Sequence, residues 1–220
     1  MLRTLFIEEA RTQVVRNAAV TGACCLILLG FLGMWWLLTD VPALAGLMQV
    51  GSMGVIIATP LIVLTQVAVE YWQSMYGQRG YLTMVVPVRG RVHFAAKALY
   101  ACVVVLVEGA ICLGGLIAWF AVLAHSTGST IGDVLRPVLW AIETAGPGKT
   151  TLFVLIVLIG LFSLVIEVDA VMSIGGQGRF NHLGFGAPMI GLVLLYAVNQ
   201  VLALIAVLFV PLSMDVTTGD

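Results

Sequence analysis

Residues 18–38 read AAVTGACCLILLGFLGMWWLL, 21 consecutive positions without a charge, closed by Thr39-Asp40. A helix rises about 1.5 Å per residue, so about 20 apolar residues cross the roughly 30 Å hydrocarbon layer of a bilayer. The stretch therefore predicts a membrane-spanning helix, with Trp35 and Trp36 placed where an interfacial aromatic belt would hold them. A secretory signal core holds only about 7 to 15 apolar residues. Although Ala43-Leu44-Ala45 resembles a small-residue cleavage site, the run is read as a retained span.

Four more stretches meet the same requirement: residues 43–68, 94–124, 151–174 and 185–212. Pro60 predicts a kink in the second of them, a defect that neighbouring helices re-satisfy. The composition agrees, because 61% of the 220 residues are hydrophobic and only 10% are charged. Soluble domains carry about 25% charged residues, so this chain could not cover a water-facing surface. Mean hydropathy is +1.10. The fold class expected is all-α and polytopic, a single membrane domain over residues 18–220 preceded by a short N-terminal segment.

Lysine and arginine set the orientation. With a cytoplasmic N-terminus, Arg3, Arg11, Arg16, Arg79, Arg89, Arg91, Lys97 and Arg179 fall on or near the inner side, and Arg136 and Lys149 fall outside. That bias satisfies the positive-inside rule. In residues 1–17, Leu2, Phe6, Ala10 and Val14 recur every four positions, a stripe suited to a cytoplasmic interfacial helix or to an extension of the first span. The outer loop, residues 124–150, has an apolar middle at 131–142 that predicts a short surface or re-entrant helix. The location expected is the cell membrane.

Several signals of other chemistry fail on inspection. Ala145 to Thr151, AGPGKTT, imitates a phosphate-binding loop, but the first glycine position of G-x-x-x-x-G-K-[ST] holds Glu143 and no strand precedes it. Gly146-Pro147-Gly148 is better read as a turn before the fourth span, with Lys149 at the membrane interface. His93, His125 and His182 lie in separate loops or loop edges, and no zincin or serine-hydrolase motif occurs. Cys24, Cys25, Cys102 and Cys112 form no ligand cluster and read as small apolar-phase residues. No enzymatic role, metal or cofactor is expected of this chain. Nucleic acid is excluded as a partner because no basic patch could neutralise several phosphates.

Acids inside apolar runs are different, since a charge at the bilayer centre costs at least about 2.5 to 3.5 kcal/mol on insertion scales. Glu108 falls mid-span, and Glu167 and Asp169 fall in the inner half of the fourth span. Two residues apart on a helix is about 200°, so Glu167 and Asp169 cannot form a carboxylate pair on one face. Each acid either lines a polar pathway or interface, or joins helices beside Gln66, Asn199 and Gln200.

The longest polar interruption is residues 71–91, YWQSMYGQRGYLTMVVPVRGR. Its first part predicts a short helix carrying Tyr71, Trp72, Met75 and Tyr76, the aromatic and methionine anchors that interfaces favour, ended by Gly77 in a left-handed conformation. Arg79 and Gly80 follow, then Tyr81-Leu82-Thr83 and Pro87 before the third span.

Tyr76-Gly77, Gly80-Tyr81-Leu82-Thr83, Pro87 and the downstream Lys97 resemble the first cytoplasmic loop of ABC-2-type transporter permeases. The resemblance extends over the N-terminal helix and the order of spans, but only this loop is specific. It implies a permease subunit that pairs with a second permease chain within membrane lipid. It also implies an ATP-binding cassette subunit, gripping a coupling helix at Tyr71 to Tyr76 whose exit is shaped by Gly77, Gly80 and Pro87. The second inner loop, residues 175–184 with Arg179 and His182, is implied as a lesser contact. Two departures stand: the family pattern has six spans against five here, and its acidic residue near Tyr-Gly is replaced by Ser74, Gln78 and Arg79. Other classes consistent with the residues are an ion-coupled transporter using Glu108 or Glu167, and a non-transporting immunity or sensory membrane protein.

Overall fold

The computed structural model describes residues 1–77, 79–85 and 87–209, with the side chains of Leu82, Met84 and Asn181 left aside. The expected end of the fifth span at Leu212, the tail after Pro211 and the position of Gln78 lie outside the described residues. Within them the protein is all-α: α1 (Leu2–Leu37), α2 (Pro42–Met75), α3 (Gly80–Val85), α4 (Gly90–Ser126), α5 (Ile131–Gly175), a 3₁₀ helix (Gly178–Leu183) and α6 (Gly186–Phe209). Five of these, α1, α2, α4, α5 and α6, are long and apolar enough to cross a membrane. The chain is thus a polytopic helical membrane protein. It divides into two compact units, residues 1–166 and 167–220.

The first unit is built on α1, α2 and α4, each packed on the other two. Their 36, 34 and 37 residues make rods of about 50 to 55 Å, well beyond a roughly 30 Å hydrocarbon layer. The expected spans 18–38 and 43–68 therefore occupy one end of a longer helix, and 94–124 most of α4. Residues 1–17 do not form a separate helix: α1 runs unbroken through Asn17 into the span, so the extension is the form adopted. Its stripe faces protein at two places, where Phe6 and Ala10 pack on Val67, Tyr100, Ala101, Val105 and Val165. Pro60 is accommodated inside α2 without ending it.

At the other end of the three rods, Leu32, Trp35 and Val122 form a second apolar cluster. The two tryptophans expected in one belt diverge here. Trp35 is buried against Trp119 at 5.5 Å between rings, whereas Trp36 faces outward and stacks flat on His125 at 3.6 Å. Adjacent residues on a helix point about 100° apart, so only one could turn inward. Close approach of the rods rests on small residues: a Cβ on Gly115 would touch Ile56 and Leu28 side chains at 3.2 Å.

The segment expected as an outer loop, residues 124–150, is helical almost throughout. α5 carries Ile131, Val134, Leu135, Val138, Leu139 and Ile142 at amphipathic spacing, and breaks at Gly146, whose φ of 74° and ψ of 164° are open only to glycine. Pro147 then restarts the helix, and Thr150 and Thr151 bond back to the carbonyls of Gly146 and Pro147. The turn expected at Gly146-Pro147-Gly148 is thus a sharp break between two helical stretches.

In the second unit, the end of α5, the 3₁₀ helix and α6 meet around Gly175 and Gly191. A Cβ on Gly175 would stand 2.7 Å from the Pro188 nitrogen, and one on Gly191 2.6 Å from the Val171 side chain. Glu167 accepts a hydrogen bond from Asn199 Nδ2 at 3.0 Å, while Asp169 is buried on another face of the helix. The two acids do not form a pair, as their spacing requires.

Candidate functional site

The interior of the three-helix unit is polar along one line. On α1, Glu9, Gln13, Asn17 and Thr21 succeed one another at four-residue spacing; on α2, Gln66, Glu70 and Ser74 do the same; on α4, His93, Lys97, Tyr100 and Glu108 share a face. Lipid tails are as apolar as leucine, so burying leucine between helices gains little in a bilayer, and hydrogen bonds between helices supply part of the association. The helices accordingly turn their polar stripes toward one another.

Along this seam, starting from the end farthest from residues 71–91, Glu108 comes first. It is 3% exposed, and its Oε1 accepts from Thr21 Oγ1 at 2.6 Å while its Oε2 has no hydrogen-bond partner among the described residues. Next, Asn17 bridges three helices: its Nδ2 donates to Tyr100 Oη at 3.0 Å and its Oδ1 accepts from Gln66 Nε2 at 3.0 Å. Gln13 donates to Glu9. The seam then widens into a cluster of charge. Lys97 Nζ meets Glu9 Oε2 at 2.6 Å and Ser74 Oγ at 2.8 Å, and Glu70 takes Arg16 and Arg79, each at 2.9 Å. Glu70 and Lys97 are buried, whereas the two arginines are about half exposed.

This cluster holds the loop between α2 and α4. The last carbonyls of a helix have no partner within it; here the loop supplies them. Trp72 O accepts from the amides of Tyr76 and Gly77, Gln73 O from the amide of Arg79, and Ser74 O from the Thr83 hydroxyl at 2.6 Å. Both loop glycines are required by closeness and neither has positive φ, so the left-handed ending expected at Gly77 does not form. A Cβ on Gly77 would lie 2.9 Å from Gln73 Cα, and one on Gly80 2.7 Å from Met75 O.

The stretch expected as a separate short helix is instead part of α2. Tyr71 to Met75 is the last turn of α2, and Tyr71 and Met75, 2% and 5% exposed, turn into the protein, with Tyr71 edge-on to Phe94. Both are core residues of the first unit. Trp72 and Tyr76 are half-buried and lie against each other at 5.5 Å. The separate helix of the loop is α3, one element later, whose Tyr81 and Val85 are 67% and 77% exposed. The reason is continuity: no residue before Tyr76 breaks α2, so the helix runs on until the glycines turn the chain back.

Of the residues singled out from sequence, the structure brings Arg79, Gly77 and Gly80 to one cluster with the end of α2, and sets Glu108 at the far end of the same seam. Glu167 and Asp169 belong to the second unit. Sequence reasoning missed Gln13, Asn17, Thr21, Glu70, His93 and Lys97 as a set. The four-residue recurrence of polar groups was legible on α1 and α2 taken singly. Among the described residues, no group of three or more His, Cys, Asp or Glu could hold a metal ion. Comparison with known protein families, curated proteins and solved structures finds no match.

Proposed function

We propose that the chain is the membrane-spanning permease subunit of an ATP-driven transporter of the ABC-2 type, oriented in the cell membrane with its N-terminus in the cytoplasm. ATP hydrolysis belongs to a separate ATP-binding subunit, which docks on α3, and a second permease chain completes the pathway. The observation that carries this reading is the fastening of α3. It presents exposed Tyr81 and Val85 outward, and is tied by Thr83 to Ser74 and by Arg79 to Glu70, hence to Arg16 of α1 and through Ser74 to Lys97 of α4. A push on α3 would therefore move three spanning helices together, as a lever requires. The excess of Arg and Lys at that end supports the orientation. An exported peptide, drug-like or lipid-like molecule fits the family.

The test is whether an ATP-binding subunit co-purifies with the chain and drives transport through it. Tyr81→Ala combined with Val85→Asp is expected to abolish co-purification while the permease still folds. Tyr71→Ala or Met75→Ala is expected to lower stability instead. Normal assembly and transport by the Tyr81/Val85 variant would sink the docking assignment. A second reading, ion-coupled transport, is favoured by Glu108, whose second carboxylate oxygen is buried without a partner among the described residues. Transport that survives ATP depletion and collapses with the proton or sodium gradient would establish it in place of the first.

A further inference from the structure

The second unit has a groove of about 380 Å³ between the end of α5, the 3₁₀ helix and α6. Every residue that lines it is apolar or glycine, with Val171 and Gly175 on α5, Phe180 and Leu183 on the 3₁₀ helix, and Leu194 and Val198 on α6 among them. Along α6 the lining runs from Ala187 to Val198, about 16 Å at 1.5 Å per residue. That is the depth of one leaflet, half of a roughly 30 Å hydrocarbon layer. The groove thus has the length of one extended acyl chain entering from the end that carries the 3₁₀ helix.

A cation stands at this end. Arg179, exposed on the 3₁₀ helix, lies over the ring of Phe180 at 4.7 Å from its centroid, and Phe180 is itself part of the lining. The guanidinium makes no ion pair among the described residues. No Asp or Glu occurs between Asp169 and Asp215, and Asp169 is buried. Its counter-ion must therefore come from elsewhere. A planar guanidinium matches phosphate oxygens in pairs, so a phosphate is the fitting anion. An apolar chain one leaflet long beside a phosphate is the outline of a phospholipid. In a zwitterionic lipid the phosphate already has a cation of its own, so Arg179 favours a head with net negative charge.

We propose that the groove holds one acyl chain of an anionic phospholipid whose phosphate is bound by Arg179. The site lies wholly in the second unit and does not depend on the docking of α3.

The test is native mass spectrometry of the full-length protein released from detergent, with phosphatidylglycerol or phosphatidylcholine of the same acyl chains added. The wild-type chain should bind one phosphatidylglycerol at least fivefold more tightly than phosphatidylcholine. Arg179→Gln, at an exposed position, should remove that preference, whereas Arg89→Gln, at an exposed arginine of the first unit, should keep it. Leu194→Trp, at an exposed lining position, should crowd the groove and weaken both lipids alike. Glycerol phosphate, a head without chains, should not compete. Equal binding of the two lipids, a preference that survives Arg179→Gln or is lost in Arg89→Gln, unchanged binding by Leu194→Trp, or full competition by glycerol phosphate overturns the proposal.

Discussion

Thr21 and Glu108 meet at 2.6 Å in the interior of the first unit, where neither has water to turn to. Hydrogen bonds between membrane helices contribute about 0.6 kcal/mol on average and up to about 1.7, because the separated helices also find partners in lipid. Thr21→Val should therefore lower the thermal stability of the detergent-solubilised protein by an amount in that range. Glu108→Gln, which keeps an acceptor, should lower it less. A double-mutant cycle measures the coupling, and a value near zero would remove the bond from the account. Glu108 was visible in the sequence as an acid in an apolar run, but its partner was not. Threonine is common in spans, and only the facing of α1 and α4 makes Thr21 the donor. The same holds for Asn17, one polar residue at the edge of a hydrophobic stretch until Gln66 and Tyr100 are brought to it.

Among the elements, α3 and the break in α5 differ most from their sequence readings. The polar interruption at 71–91 was legible as a helix-bearing loop with two necessary glycines. Which turn of helix belonged to the loop was not, because Tyr71 to Tyr76 suits the end of a long helix as well as the start of a short one. The burial of Tyr71 and Met75 decides it. Residues 1–17 pose the same ambiguity, and the unbroken course of α1 resolves it as an extension. Gly146 makes a sharper case, since its φ of 74° with ψ of 164° is a conformation that side chains avoid. Holding a non-glycine residue there costs about 1 to 3 kcal/mol. Gly146→Ala should destabilise the protein by that amount in thermal unfolding, or straighten α5 through the position. Gly148→Ala, in ordinary helix with open space around it, should be harmless. Equal effects at the two glycines would contradict the assigned break.

For the whole molecule, α4 is long and apolar enough to set its two ends on opposite faces of a membrane. With the native cysteines replaced, Tyr81→Cys should react with an impermeant maleimide only from the cytoplasmic face, and Ser129→Cys only from the outer face. Both residues are exposed. Labelling from the reverse faces would invert the orientation and place α3 out of reach of a cytoplasmic ATP-binding subunit. Labelling of both from one face would refute a span between them.

Sequence alone determined that the chain is helical, crosses a membrane, and concentrates positive charge at one set of helix ends. Length, hydropathy and the count of arginines are properties of segments, and they need no neighbour to be read. The tertiary structure decided what the segments do with their polar residues. Glu9, Gln13, Asn17 and Thr21 become one seam with Gln66, Glu70, Lys97 and Glu108 only when three helices turn toward each other. In a bilayer that choice is made by pairwise hydrogen bonding across helices, and a pair is not a property of either strip of sequence.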